Sequence, residues 1–116
     1  MAAVTEGKTK ARLDAVRGYM EARKAGDTGD KLLTYFADST VLVDKDGKEH
    51  KGSTDIRTYF KANVVQPSWI GEPEMVADNV ATARFKYFKY FKGTFTFADN
   101  TDKFIRVAVV GDGVLY

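Results

Sequence analysis

The chain has no cysteine and a single histidine, His50. Thiolate nucleophiles, disulfides, iron–sulfur clusters and cysteine zinc sites are excluded on that count. One histidine also excludes a multi-histidine metal site within one chain and leaves any histidine-based triad a single candidate. Acid/base chemistry then falls to carboxylates and tyrosine hydroxyls. Asp44 shares strand parity with Leu42, which points it inward, although its place two residues before Asp46-Gly47 also suits it to supporting a turn. His50 falls in the polar segment Lys48–Lys51 and reads as solvent-exposed. The nine residues Arg84–Lys92 interleave basic and aromatic side chains. Such a stretch can stack bases and bind phosphates. Yet Lys+Arg 18 against Asp+Glu 16 leaves a net charge of only +2, and a strand with rings inward and cations in water accounts for the pattern; no nucleic-acid partner is expected.

The elements that position these groups follow from the hydrophobic period. From Thr5 to Lys24, Leu13, Val16 and Met20 recur at three- and four-residue steps with Ala15, Tyr19 and Ala22 beside them, which is a helical pattern. Arg12, Asp14, Arg17, Glu21 and Arg23 occupy much of the remainder, and Gly26 ends the helix. Asp27 or Thr28 caps a second, short helix with Leu32, Leu33 and Phe36 as its apolar positions. Thr40–Asp44 reads as a strand, Asp46-Gly47 as a hairpin turn and Lys48–Lys51 as the return strand. Gly52 breaks that strand, Ser53 or Thr54 caps a third helix, and Ile56, Tyr59 and Phe60 form its buried face.

Beyond Val64 the chain is β-rich. Pro67, Gly71 and Pro73 punctuate an edge segment holding Trp69 and Ile70, and Glu74–Ala77 is a short strand closed by Asp78-Asn79. The alternation of the long run Val80–Phe97 slips at Tyr87-Phe88, as a β-bulge would make it. Lys92-Gly93 and Asp99-Asn100 are alternatives for the turn that ends this run. Asp102–Val110 is the last full strand, Gly111–Gly113 turns after it, and Val114–Tyr116 only begins a further strand.

This order predicts an α+β fold with helices on one face of a curved, antiparallel sheet. At 116 residues and 12.9 kDa, residues 1–116 make one domain. The 44% hydrophobic content excludes a disordered tail. No apolar run approaches the roughly 20 residues of a membrane span, and the N-terminus lacks the basic-then-apolar pattern of a signal peptide. A cytoplasmic protein without membrane contact is expected. The last strand carries Ile105, Val107 and Val109 on one face and Phe104 and Ala108 on the other. An apolar outer sheet face covered by a second copy is expected, making a homodimer.

The segment Ala37–Gly47 followed by Gly52–Phe60, with Tyr19 and Lys24–Asp27 before them, resembles the nuclear transport factor 2-like superfamily. That group includes ketosteroid isomerases, polyketide cyclases, dehydratases and non-catalytic binding domains. The resemblance covers nearly the whole chain. It implies a cone-shaped curved sheet wrapped around the N-terminal helices, with an apolar pocket and no cofactor or metal. Within the group, three positions are similar to the ketosteroid isomerase pattern. Tyr19 stands where an oxyanion-binding tyrosine lies, Asp44 where the general base ends the first strand, and Asp102 where an aspartic acid joins the tyrosine. In such a site, desolvation raises the base's pKa so that it can shuttle a proton beside a carbonyl. The same resemblance makes Tyr59, Phe60, Trp69, Phe85 and Phe104 the candidates for ligand contact.

The implied function is binding of a small apolar molecule, with acid/base isomerisation or cyclisation as its catalytic form. The alternative is a non-catalytic interaction module of the same fold. An enzyme is expected to bring Tyr19 and Asp44 across an open cavity. An interaction module is expected to fill that cavity with Phe60, Trp69, Phe85 and Phe104.

Overall fold

The computed structural model describes residues 2–63, 67–99 and 101–111, with side chains from residue 8 onward. α1 (Ala2–Lys24) leads through a 3-10 turn (Leu32–Tyr35) into β1 (Phe36–Val43), β2 (Glu49–Lys51) and α2 (Gly52–Ala62). β3 (Ser68–Ala77), β4 (Val80–Tyr87), β5 (Lys89–Phe97) and β6 (Phe104–Gly111) follow. The strands form one curled, unclosed sheet in the order β2-β1-β6-β5-β4-β3. The α+β class is as expected, but the sheet is mixed: β1 and β6 run parallel and all other neighbours antiparallel. Among the described residues, no helix is long and apolar enough to cross a membrane.

α1 ends as its sequence dictates. Gly26 adopts φ 80, donating its N–H to Arg23 O while Asp27 N–H reaches Ala22 O at 3.0 Å, which closes the last turn on itself. Asp27 then caps the next turn, accepting from the backbone N–H groups of Gly29, Lys31 and Leu32. The buried stripe of α1 is Arg12, Ala15, Val16, Tyr19, Met20 and Ala22. Arg12, assigned by its type to the solvent side, is thus in the core. It donates to the carbonyls of Asp78, Ala98 and Thr101, and its guanidinium lies 5.1 Å from the Phe97 ring.

The sheet supplies the concave wall by strict alternation. In β5, Phe91, Gly93, Phe95 and Phe97 are buried between half-buried Tyr90, Lys92, Thr94 and Thr96. Cross-strand pairs stack these into layers: Ala81 opposite Phe95 and Phe95 opposite Val107, then Ala83 opposite Gly93 and Gly93 opposite Val109. Gly93 leaves room for the neighbouring ring: a Cβ there would stand 3.3 Å from Phe95, which would have to yield by a few tenths of an ångström.

Two expectations about this half are corrected. The parity slip at Tyr87-Phe88 is a turn, not a bulge: β4 and β5 form a hairpin with Phe88 at its apex in a left-handed conformation, φ 68. β5 ends at Phe97, so the turn before β6 falls in the Asp99 region, with residue 100 outside the described ones. The second correction concerns β6. A register shift near its start puts Phe104 and Val107 both in the core, and Val109 walls the interior, leaving Ile105, Arg106 and Val110 exposed. The outer face is mixed: on β4 and β5 it carries Val80, Thr82, Arg84, Lys86, Tyr90, Lys92, Thr94 and Thr96, and on β6 Ala108, Val110 and Arg106, which lies 3.8 Å from Glu49. The expected turn through Gly113 and the strand start Val114–Tyr116 lie outside the described residues.

Candidate functional site

The polar part of the site is built by the β1–β2 hairpin. Its loop has three residues, Lys45, Asp46 and Gly47, with Gly47 at φ 82 and backbone bonds from Gly47 N to Asp44 O and from Asp44 N to Lys48 O. This is a tight turn followed by a left-handed glycine, one of the standard ways to close a hairpin. Register follows: Leu42 faces His50 and Val43 faces Glu49. Residues directly opposite share a face, so His50 joins Leu42 and Asp44 on the inner side. A two-residue Asp46-Gly47 loop would have paired Val43 with His50 and turned the imidazole outward. The expected exposure of His50 is corrected for this reason; its side chain is 14% exposed.

Asp44 is buried and fully used. Oδ1 accepts from the N–H groups of Asp46 and Lys48 at 2.9 and 3.1 Å, and Oδ2 lies 2.9 Å from His50 Nε2. Burial alone pushes its pKa up, but the His50 contact and the two backbone donors outweigh burial and hold the carboxyl below its ordinary range. That direction is opposite to the one a desolvated general base needs. An ionised carboxylate only accepts, so Nε2 carries the proton and Nδ1 is left as the imidazole's basic nitrogen. The other side of the imidazole is covered by Tyr59 of α2, with ring centroids 4.4 Å apart. Burial raises the Tyr59 hydroxyl, the Arg23 charge pulls it down and Asp44 pushes it up again.

The apolar part lies between α1 and the sheet. Tyr19 sits among Phe36, Phe60, Phe95 and Phe104 at centroid distances of 5.4–6.5 Å, and burial raises its hydroxyl pKa, with Arg23 opposing. A cavity of about 30 Å³ opens beside it, lined by Tyr19, Arg23, Pro67, Trp69, Phe85, Gly93, Phe95, Val107 and Val109. Trp69 is pinned to α1 by a bond from Nε1 to Met20 O at 3.0 Å. Arg23, one turn beyond Tyr19, stacks its guanidinium 5.0 Å from the Phe60 ring, and its Nη1 is buried with no hydrogen-bond partner. An unmet donor of this kind is costly, about 1–3 kcal/mol or more for a charged group.

Of the positions expected to converge, the structure brings none of the three together. Tyr19 walls the cavity, whereas Asp44 does not. Asp102 is exposed in the β5–β6 loop, beside Lys8, Ala11, Arg12 and Thr101. Because β1 and β6 are parallel, Asp102 lies at the end where Phe36 pairs with Phe104, and Asp44 at the end where Val43 pairs with Ala108. Among the ligand candidates, Trp69 and Phe85 line the cavity, Phe60 and Phe104 are core residues with no exposure, and Tyr59 covers His50. Two of the four rings expected to fill the cone therefore fill it, and two wall what remains. His50 and Arg23 are the site residues that residue type alone concealed. Arg23 had a signal in its position, four residues after Tyr19 and so on the same helix face. Among the described residues, no group of three or more histidine, cysteine, aspartate or glutamate side chains is placed to hold a metal ion.

A helix-wrapped, curled sheet of this order, with a polar corner at the first hairpin, is the nuclear transport factor 2-like fold. No family model matches the chain, and no curated protein matches it. Solved structures do. A candidate polyketide cyclase from Sinorhizobium meliloti is 26% identical with a TM-score of 0.66, over 83% of this chain and 93% of that one. A SnoaL-like protein of unknown function from Burkholderia thailandensis is 14% identical with a TM-score of 0.75, over 90% and 97%. A ketosteroid isomerase-like protein from Erwinia carotovora is 10% identical with a TM-score of 0.69, over 92% and 98%.

Proposed function

We propose that this chain binds a small, largely apolar molecule on the concave face of its sheet, between α1 and β3–β6. The cavity carries this reading: an otherwise closely packed aromatic interior leaves a gap where Tyr19, Trp69, Phe85 and Phe95 meet Arg23. Its volume of about 30 Å³ seats one functional group of a ligand, about a tenth of what a small-molecule site encloses. The body of the ligand packs on the half-buried rings of Trp69 and Phe85, which border the gap.

Acid/base isomerisation or cyclisation is the catalytic form of the same reading, and the Asp44–His50 pair favours it. In that form Tyr19, on the cavity wall, donates to the developing oxyanion, and His50, held by Asp44 outside the cavity lining, meets only a ligand that extends past the present gap. Asp102 takes no part. The alternative, a non-catalytic interaction module, draws support from the buried rings of Phe60 and Phe104.

The test is a titration of 2-naphthol, a mimic of an enolate, followed by its own fluorescence. Saturable binding with a shift toward the naphtholate emission is expected, weakened roughly tenfold in Tyr19→Phe. Absence of saturation at millimolar naphthol overturns the small-molecule reading and leaves the interaction module. Isomerase and cyclase assays of wild type and His50→Gln then decide the catalytic form.

A further inference from the structure

Arginine keeps its charge in proteins and offers five N–H donors and no acceptor. On Arg23 the two donors of Nη1 are buried without a partner, while the guanidinium carbon lies over the Phe60 ring. Buried polar groups in native structures are overwhelmingly satisfied, yet this one is not, on a side chain that is half-buried as a whole. Among the described residues, the other walls of the cavity that Arg23 helps to line are Tyr19, Pro67, Trp69, Phe85, Gly93, Phe95, Val107 and Val109, none of them acidic. Among these described walls, the one other titratable group is the Tyr19 hydroxyl, which burial keeps a neutral donor. A water molecule would supply an acceptor for Nη1 but no countercharge.

We propose that the ligand of this cavity is a small aromatic monocarboxylate, its carboxylate seated on Arg23 Nη1 beside the Tyr19 hydroxyl and its ring against Trp69, Phe85 and Phe95. This rests on the small-molecule reading above and adds the charge of the ligand to it. Planar guanidinium matches planar carboxylate, and the pairing is stronger than one between neutral groups. The remaining walls are aromatic or aliphatic, which suits a flat apolar body and provides no second polar anchor. Tyr19 and Arg23 stand four residues apart on one helix, so a single rigid element presents both donors.

The experiment is calorimetric titration of 2-naphthoate and of its uncharged analogue 2-naphthylmethanol into wild type, Arg23→Met and Arg23→Lys, each checked for native near-ultraviolet circular dichroism. Naphthoate is expected to bind wild type at least tenfold more tightly than the alcohol. It is expected to lose at least tenfold in Arg23→Met and less in Arg23→Lys, and in Arg23→Met to lose several-fold more than the alcohol does. Equal affinity of wild type for acid and alcohol overturns the proposal without any variant, as does naphthoate binding that Arg23→Met leaves intact. If the alcohol binds and the acid does not, the cavity is a small-molecule site and only the carboxylate assignment fails. If neither binds wild type, the small-molecule reading fails and takes this proposal with it.

Discussion

Arg12 and Arg23 stand eleven residues apart on α1, about three helical turns, and therefore point along nearly the same face. Both lay a guanidinium over a phenylalanine ring at almost the same distance, 5.1 Å to Phe97 and 5.0 Å to Phe60. There the likeness ends. Arg12 reaches three backbone carbonyls, from Asp78, Ala98 and Thr101, and so ties α1 to the β3–β4 and β5–β6 turns. Arg23 borders a gap and leaves a buried donor unmet. One helix thus carries a structural arginine toward its first half and, in its last turn, an arginine whose buried donor the protein leaves unmet. The residue type is the same and Arg12 is the more deeply buried of the two, yet it is Arg23 whose buried donor the protein leaves without an acceptor.

The sharpest way to break this comparison is at Arg12. Arg12→Met removes three charge-assisted bonds and strands carbonyls beneath the helix, so the urea midpoint is expected to fall by the equivalent of about 3–4 kcal/mol. A loss under about 1 kcal/mol would mean that Arg12 is no more structural than Arg23.

At the other end, the polar corner should reveal itself through pH. The Asp44 carboxyl is held below its ordinary value of 3.8 in the folded chain. Stability from it is therefore complete above the unfolded carboxylate range and is lost as pH falls through the lower, folded value. Asp27, lowered by three backbone N–H donors against the opposing effect of burial, acts with the same sign. Asp44→Asn is expected to cost about 2 kcal/mol at neutral pH and to flatten the acid limb of a thermal-melt series. An unchanged acid limb would show that the hairpin does not depend on the ionised carboxylate.

A smaller effect is expected from Tyr19→Phe, whose ring keeps its four aromatic neighbours. Stability should change by about 1 kcal/mol or less, measured by urea unfolding, while the alkaline loss of stability above pH 10 diminishes. The smallest effect belongs to Arg23→Met. With no hydrogen bond to break at Nη1 and a buried donor removed, stability should stay within about 1 kcal/mol of wild type, on the side of a gain. A large loss there would erase the contrast with Arg12.

Much of this fold was legible in the sequence because its punctuation is strong. Gly26 ended α1, Asp46-Gly47 marked the first hairpin, and the layout of helices before strands gave the α+β class. The failures share a cause: each turned on one residue of register. A three-residue loop instead of two carried His50 indoors, a register shift in β6 brought Val107 inward with Phe104, and the slip at Tyr87-Phe88 hid a hairpin apex. Because strand side chains alternate, a single residue of shift reverses a whole face. The two arginines were missed for another reason. A guanidinium reads as a surface group until its partners, which lie 66 to 89 residues away for Arg12, are placed around it. The candidate site was legible in its members Tyr19, Asp44, Trp69 and Phe85, but not in their arrangement.

The parallel pairing of β1 with β6 has a consequence for how the chain reaches this state. Every other strand pair joins sequence neighbours, whereas this seam joins residues more than sixty positions apart, as Thr40 does in accepting from Ala37 and donating to Phe104 O. Two local units can form early, the β1–β2 hairpin with α2 and the β3–β4–β5 meander, but each exposes an unpaired edge until β6 enters between them. Folding should then be limited by one loop-closing event, placing the rate in the slow range of non-local β topologies. Substitutions in the seam should slow folding, and those in the Phe88 hairpin should leave that rate untouched.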